Sequence, residues 1–243
     1  MAERAKKRRA GHPVALVAES DPKSPASEAY RILRTNIQFA GLDRPCRSIL
    51  ITSASAQEGK TTTVANFGVV LAEAGSRVCL VDSDLRRPSL HEIFGLSNSR
   101  GLTTALVEGL PFATVAQATR VPNLSVLTTG PLPPNPAEMV GSKRMRELLE
   151  GAHSDFDLLV LDSPPVIAVS DGVSLAAQCD GVILVVRVGA IPQAVVRRAV
   201  EQIETVKGRI LGVLLNRVDL RRDGYYSEYY RYYRSYYGGE EKK

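Results

Sequence analysis

The chain has 243 residues and contains no tryptophan, five phenylalanines and three cysteines. Cys46, Cys79 and Cys179 lie far apart, without the spacing of a metal site or a disulfide framework, which favours a reducing cytosol. No apolar run approaches the about 18 to 20 residues that a membrane-spanning helix requires. The basic N-terminus is not followed by the apolar stretch of a secretory signal. We therefore expect a cytoplasmic protein that does not itself cross a membrane.

Tyrosine, in contrast, is concentrated at one end of the chain, where residues 225 to 237 hold eight of the nine tyrosines. This segment follows the last apolar run, is polar and ends in Gly-Gly and charged residues, so it is poorly suited to form a core. The eight residues are Tyr225, Tyr226, Tyr229, Tyr230, Tyr232, Tyr233, Tyr236 and Tyr237.

Hydrophobic patterning predicts a single α/β domain. Hydrophobic residues make up 44% of the chain and charged residues 23%, as in an ordinary globular protein. Short, nearly continuous apolar runs alternate with helical patterns, which is typical of parallel strands covered by helices on both faces. We predict a doubly wound, mostly parallel sheet, with a basic flexible arm at 1–20, the domain at 21–220 and the tyrosine-rich tail at 221–243. The predicted strands lie in "RSILITS", "RVCLVDS", "LSVLTTG", "FDLLVLDS", "DGVILVVRV" and "GRILGVLLNRV".

A helix is predicted to follow the arm. Ser24 is suited to be its N-cap and Pro25 its first residue. Its apolar face has i, i+3, i+7 spacing and comprises Tyr30, Leu33 and Ile37. A second stripe, made of Glu28, Arg31 and Arg34, is charged. From spacing alone, this stripe is best read as a solvated face with local ion pairs.

A phosphate-binding loop is predicted where the first strand meets the next helix. The group "EGKTT" matches the second half of a P-loop, although Ala54 replaces the usual first glycine. Backbone N–H groups there hold phosphate, Lys60 is placed to reach the β- and γ-phosphates, and Thr61 to bind Mg²⁺. The predicted ATP-binding residues are Ser55, Ala56, Gln57, Glu58, Gly59, Lys60, Thr61 and Thr62.

Three aspartates follow predicted strands. Asp82 and Asp84 come at the end of "RVCLVDSD", and Asp162 ends "FDLLVLD". Parallel sheets bind ligands at the carboxyl ends of their strands, where such carboxylates can hold Mg²⁺ or accept a proton from a nucleophile. Capping of a loop, or pairing with Arg86 and Arg87, is the structural alternative for Asp82 and Asp84.

Two further segments are less specific. "GPLPPNP" is predicted to be a rigid loop, with a helix that begins near Asn135 or Pro136 and runs through "AEMVGSKRMRELLE". The strand end "LLNRVD" resembles a guanine-reading motif only weakly.

Taken together, these motifs resemble the bacterial tyrosine kinases that regulate capsule and exopolysaccharide synthesis. The resemblance covers nearly the whole chain from about residue 24. It rests on the P-loop "SASAQEGKTT", the second acidic strand "LVDSDLRRP", the Walker B strand "LVLDSPP", an E-x-x-R-x-x-R helix, "GPLPPNPAEMVGSKRM" and the tyrosine-rich end. The family usually has Pro-Gly where this chain has Ala56 and Gln57.

The resemblance implies ATP- and Mg²⁺-dependent autophosphorylation of the tail by a neighbouring subunit. It implies that Lys60 stabilises the transferring phosphoryl group and that Thr61 and Asp162 hold Mg²⁺. Asp82 would orient the tyrosine hydroxyl or accept its proton, with Asp84 as an Mg²⁺-linked partner, or these two roles would be exchanged. The family also places the strand end of Asn216 beside adenine.

The same resemblance implies partners and a location. Glu28, Arg31 and Arg34 would join subunits into a ring, and the eight tail tyrosines would be the phosphorylated residues. A separate transmembrane activator would recruit the kinase to the inner face of the membrane, and a cognate tyrosine phosphatase would reverse the reaction. The basic residues 6–9 would assist weakly by binding anionic lipid.

Two other functions use the same residues. A MinD/ParA-like positioning ATPase shares the sheet and the acidic strand ends, but such proteins typically have a lysine near the start of the P-loop, where this chain has none. The interleaved arginines and tyrosines of the tail are also compatible with single-stranded nucleic acid, and the net charge of +5 of the whole chain is compatible with an acidic partner. We expect no nucleic-acid partner, because a stacking platform is more naturally built on an ordered sheet.

Overall fold

The fold is a seven-stranded sheet with helices on both faces. It is known from a computed structural model that describes residues 16–41 and 44–218. The strand order is β3-β4-β2-β5-β1-β6-β7, and only the β3–β4 pair is antiparallel. The prediction of a mostly parallel α/β sheet is confirmed. The strands are β1 (Ser48–Ser53), β2 (Val78–Asp82), β3 (Gln117–Ala118), β4 (Leu124–Leu127), β5 (Leu158–Asp162), β6 (Gly181–Arg187) and β7 (Ile210–Asn216).

Two apolar cores lie on the two faces of the sheet. Helices α1 to α4 contribute to the first, which contains Ile37 and Phe67, and helices α5 and α8 to α10 pack into the second, which contains Met145 and Ile203. The helices are α1 (Val17–Ser20), α2 (Pro25–Ala40), α3 (Lys60–Glu73), α4 (Leu90–Phe94), α5 (Leu102–Glu108), α6 (Phe112–Val115), α7 (Pro136–Val140), α8 (Lys143–Gly151), α9 (Ser170–Ala176) and α10 (Gln193–Thr205), with a 3-10 turn at Ala152–Ser154.

The folded body begins earlier than predicted. Leu16 and Ala18 are buried, and the Ala18 N–H donates to Asn66 Oδ1 of α3 at 3.1 Å. The prediction of a flexible arm was therefore wrong for residues 16–20. A four-residue helix is too short to show periodicity, so only its packing against α3 reveals it. Residues 1–15 lie outside the described part of the chain.

The start and apolar face of α2 agree with the sequence. Ser24 Oγ accepts a hydrogen bond from the Ser27 N–H at 3.2 Å, and Pro25 is the first helical residue. Ile37 is buried, while Tyr30 and Leu33 pack against the same core.

The segment after "GPLPPNP" differs from the single helix that was predicted. It forms α7 and α8, separated by Gly141 and Ser142. Ser142 Oγ accepts a hydrogen bond from the Met145 N–H at 3.1 Å, so this serine caps a new helix. A serine that bonds the backbone locally competes with continuation of a helix, which explains the interruption. The two-residue β3 was also missed.

Candidate active site

The P-loop connects β1 to α3 and ends at the helix N-terminus. Gly59 has φ +99° and precedes Lys60, the first residue of α3, whose side chain is largely buried. Unpaired N–H groups of the first turn make such a helix start a site for anions. The predicted strand, loop and helix are therefore present, with the helix beginning where expected.

Glu58 holds the P-loop in shape. Its buried carboxylate accepts hydrogen bonds from the Ser55 N–H at 2.5 Å and from the Arg187 N–H, at the end of β6, at 3.1 Å. Its main-chain oxygen accepts one from Asn216 Nδ2, at the end of β7, at 2.8 Å. The sequence predicted Glu58 as a P-loop residue, but it did not predict that this side chain hydrogen-bonds the loop to the end of β6.

Replacing Gly59 with alanine is expected to abolish nucleotide binding. A Cβ atom there would lie 2.1 Å from Asn216 Nδ2, and the positive φ adds backbone strain of about 1 to 3 kcal/mol. Gly75 is the matched control, because it has φ +95° but no atom within 4 Å of an added Cβ. Thermal unfolding should show destabilisation of both variants, whereas titration with ADP should show lost binding for G59A alone. Equal ADP affinity in the two variants would contradict the proposed role of this contact.

Asp82 and Asp162 face each other at the centre of the sheet. They occupy the same register position at the ends of the parallel strands β2 and β5, and both are buried. Asp82 Oδ2 accepts hydrogen bonds from the Ser89 and Leu90 N–H groups, both at 3.0 Å. The Oδ1 atom of each aspartate is buried and, among the described residues, has no hydrogen-bond partner.

Burial dominates the electrostatics of this pair. It raises the pKa of Asp82 to about 7 and that of Asp162 to about 8. The charge of Asp82 raises the pKa of Asp162 further, whereas a hydrogen bond with the Thr61 hydroxyl and the Lys60 charge lower it. Two buried carboxylates that repel each other favour either a shared proton or a bound cation.

Asp84 lies in the loop after β2, close enough for its charge to raise the pKa of both Asp82 and Asp162. Its Oδ1 accepts hydrogen bonds from the Arg86 and Arg87 N–H groups at 3.2 and 3.0 Å. This oxygen of Asp84 therefore caps the loop, as in the structural alternative considered from the sequence.

Arg86 pairs with an aspartate that sequence reasoning missed. Its Nε and Nη2 atoms donate to Asp171 Oδ2 at 2.8 Å and to Asp171 Oδ1 at 3.1 Å. The only sequence signal was an acidic residue at the start of a short helix, which is common and does not indicate this partner.

The donor set fits Mg²⁺ bound together with a nucleotide. Within 16–41 and 44–218, no three histidine, cysteine or acidic side chains form a ready-made metal cage. Mg²⁺ is usually held by one or two carboxylates, water and substrate phosphates, so such a cage is not required. The unpartnered Oδ1 atoms of Asp82 and Asp162, beside the Thr61 hydroxyl, are oxygen ligands of the kind that Mg²⁺ prefers.

Other predicted residues lie apart from this cluster or are otherwise engaged. Arg31 Nη1 contacts Glu28 Oε2 at 3.1 Å, and Arg34 Nη1 donates to the Val70 oxygen of α3 at 3.3 Å. Asn216 Oδ1 accepts a hydrogen bond from the Arg217 N–H at 2.9 Å, in addition to the bond from Nδ2 to the P-loop. The eight tail tyrosines lie outside the described residues.

The fold and these residues define a P-loop nucleotide-binding protein. Residues 46–231 match the family described as "ParA: NUBPL iron-transfer P-loop NTPase". The chain is 42% identical over 214 residues to tyrosine-protein kinase YwqD of Bacillus subtilis (strain 168), with 88% of this chain and 90% of YwqD covered. The kinase domain of the Escherichia coli tyrosine kinase ETK is similar with a TM-score of 0.79 at 33% identity, covering 87% of this chain and 83% of that one. The chain belongs to the bacterial tyrosine-protein kinase family.

The comparisons favour the kinase over the positioning ATPase. The Pyrococcus furiosus cell division ATPase MinD has a TM-score of 0.63 at 24% identity, with 73% of this chain and 74% of that chain covered, and this similarity shows the fold alone. The predicted family and enzyme class, a protein-tyrosine kinase, are thus confirmed. As for the membrane, no helix in the described ranges is both long and apolar enough to span a bilayer.

Proposed function

We propose that this kinase uses Mg²⁺-ATP to phosphorylate the tyrosine-rich tail of a neighbouring copy of itself. The observation that carries the proposal is the buried, mutually repelling pair Asp82 and Asp162 beside Lys60 and Thr61. In addition, the eight tyrosines follow β7, whose end contacts the P-loop through Asn216.

The proposed roles follow from what phosphoryl transfer requires. Catalysis consists mostly of positioning the reactants and of stabilising the charge that develops on the transferred group. Lys60 places a cation beside that group, while Thr61, Asp84 and Asp162 would hold Mg²⁺, which would supply further positive charge against the developing negative charge. Asp82 orients the tyrosine hydroxyl or accepts its proton, and a pKa of about 7 suits a proton acceptor near neutral pH.

ATP is proposed to lie along the P-loop. The N–H groups from Ala56 to Thr62 are available to the phosphates, while Glu58 accepts the hydrogen bond of the Ser55 N–H and so fixes the conformation of the loop. Asn216 contacts the adenine. Since both ends of the Asn216 amide already have partners, a base contact would use the second hydrogen of Nδ2.

Assembly is proposed to depend on α2 and on the tail. Glu28, Arg31 and Arg34 join subunits into a ring, in which one tail enters the site of the next subunit. Each phosphorylation replaces a neutral hydroxyl with a group of charge about −1.5 to −2 at pH 7. Several such groups repel one another and the acidic site, so multiple phosphorylation releases the subunits.

The cellular role that we propose is control of capsule or exopolysaccharide polymerisation and export. A separate transmembrane protein activates the kinase and recruits it to the inner face of the membrane, and a cognate tyrosine phosphatase resets the tail. Residues 6–9 of the basic arm add weak attraction to anionic lipid.

A mixing experiment tests transfer between subunits. A full-length K60M chain has an intact tail but no catalytic lysine, whereas a wild-type chain truncated after Val218 has the site but no tail. With the cytoplasmic segment of the proposed activator added throughout, phosphotyrosine is expected on the K60M chain only when the truncated chain, Mg²⁺ and ATP are all present, as resolved by electrophoresis and immunoblotting. Phosphorylation that requires site and tail on one chain would contradict the proposal.

A further inference from the structure

One ion pair joins the loop after β2, which carries Asp84, to helix α9, which follows the strand that ends at Asp162. Arg86 belongs to the loop after β2, and Asp171 lies in the first turn of α9, shortly after Asp162. The two bonds of the pair, at 2.8 and 3.1 Å, run from separate nitrogens to separate oxygens. A bidentate contact of this kind fixes orientation as well as distance.

The side chains of the two partners differ in burial. The Asp171 side chain is 1% exposed, whereas that of Arg86 is 41% exposed. The next residue, Gly172, lies against the segment after β5, since a Cβ atom there would be 2.9 Å from the Pro164 oxygen. Asp171 is therefore the fixed partner, and the loop of Arg86 is the part that it holds.

The orientation of Asp84 depends on the same loop. Its Oδ1 accepts hydrogen bonds from the N–H groups of Arg86 and Arg87. Displacement of Arg86 therefore moves the N–H groups that orient the Asp84 carboxylate.

We propose that Asp171 is a positioning residue that acts through Arg86 to hold Asp84 at the metal–nucleotide site. Asp171 touches neither metal nor substrate in this role. The inference rests on the role proposed for Asp84, and it explains why a buried carboxylate is paired with a surface arginine so close to the site.

The chain contains a control ion pair at the opposite ends of β2 and β5. Arg77 immediately precedes β2 and Asp157 immediately precedes β5. They therefore lie at the ends of these strands that are farthest from Asp82 and Asp162. Arg77 Nη2 and Nε lie 2.8 and 3.4 Å from Asp157 Oδ1 and Oδ2. Both pairs link a segment next to β2 to a segment that precedes or follows β5, whereas only the Arg86 pair adjoins Asp84.

The test compares the variants D171N, R86Q and D171N/R86Q with D157N, R77Q and D157N/R77Q. Calorimetry measures the Mg²⁺ dependence of ADP binding, kinetics give kcat and the KM for ATP, and thermal unfolding reports stability. D171N is expected to lower kcat and to raise the Mg²⁺ concentration for half-maximal ADP binding, each by about 10- to 100-fold. The double variant should be no worse than the more severe single variant, because both changes break one link. The three control variants should stay within about twofold of wild type.

Three results would overturn the inference: wild-type Mg²⁺ dependence and kcat in D171N, equal losses in D157N, or effects that multiply in the double variant. If D171N does not fold, R86K serves instead, because it keeps the charge opposite Asp171 but loses the two-pronged contact. ADP binding needs no phosphoryl transfer. Failure of wild-type self-phosphorylation would therefore count against the proposed function, and unchanged ADP binding in D171N would count against this inference alone.

Discussion

Replacing Lys60 with methionine is expected to lower the rate of tail phosphorylation by about a thousandfold. Lys60 is largely buried at the start of α3 and its charge lowers the pKa of Asp162, so it lies within the acidic site. Removing one preorganised group that stabilises developing charge typically costs a factor of about 100 to 1,000 in kcat. Methionine retains much of the side-chain volume, so the fold should persist.

The measurement is a time course of phosphotyrosine formation with Mg²⁺-ATP. Lys143, which is exposed on α8 and pairs with the exposed Glu147, provides the control, and K143M should retain wild-type rates. Thermal unfolding should show both variants to be folded. A K60M rate within tenfold of wild type would refute the assignment of Lys60.

Replacing Asp162 with asparagine is expected to stabilise the nucleotide-free protein while it abolishes activity. Burial raises the pKa of Asp162 from 3.8 to about 8. Between pH 4 and pH 8 the Asp162 carboxyl is ionised in the unfolded protein but still protonated in the folded protein. The free energy of unfolding therefore falls as pH rises from about 4 to about 8. The destabilisation caused by burying this carboxyl is largest above pH 8. Replacing the carboxyl with an amide should therefore add on the order of a few kcal/mol to the free energy of unfolding there.

Denaturant titrations at pH 5 and pH 8.5, without nucleotide, check this prediction. The gain of D162N over wild type should be small at pH 5 and largest at pH 8.5, with phosphotyrosine formation lost at both. The control is D157N. Hydrogen bonds with Arg77 lower the pKa of this exposed carboxyl, so removing its charge should lower the free energy of unfolding instead of raising it. A D162N protein that is less stable than wild type at pH 8.5, or that remains active, would contradict the account of the buried acidic pair.

The strands and the main acidic cluster were predictable because they follow from local patterns. Nearly continuous apolar runs mark buried parallel strands, and the carboxyl ends of neighbouring strands necessarily meet, which brings Asp82 and Asp162 together. The short α1 and β3 were missed because they have too few residues for any periodicity.

Contacts between distant segments were not predictable from one sequence. Glu58 is 129 residues from Arg187, and Arg86 is 85 residues from Asp171. Each contact depends on loop conformations that only the assembled sheet determines. The expectation of one helix after Pro136 was wrong for a local reason, because the pattern did not decide whether Ser142 would cap a new helix or continue the old one.

The most direct test of the account is phosphopeptide mass spectrometry of the tail. Wild-type and K60M proteins are incubated with Mg²⁺-ATP and the cytoplasmic segment of the proposed membrane activator, then cleaved after glutamate, which leaves Arg231 and Arg234 intact. We expect several phosphates on the tyrosines of residues 225–237 in the wild-type protein and none in K60M. Absence of phosphate from this segment in the active sample, or equal phosphate in both, would contradict the account.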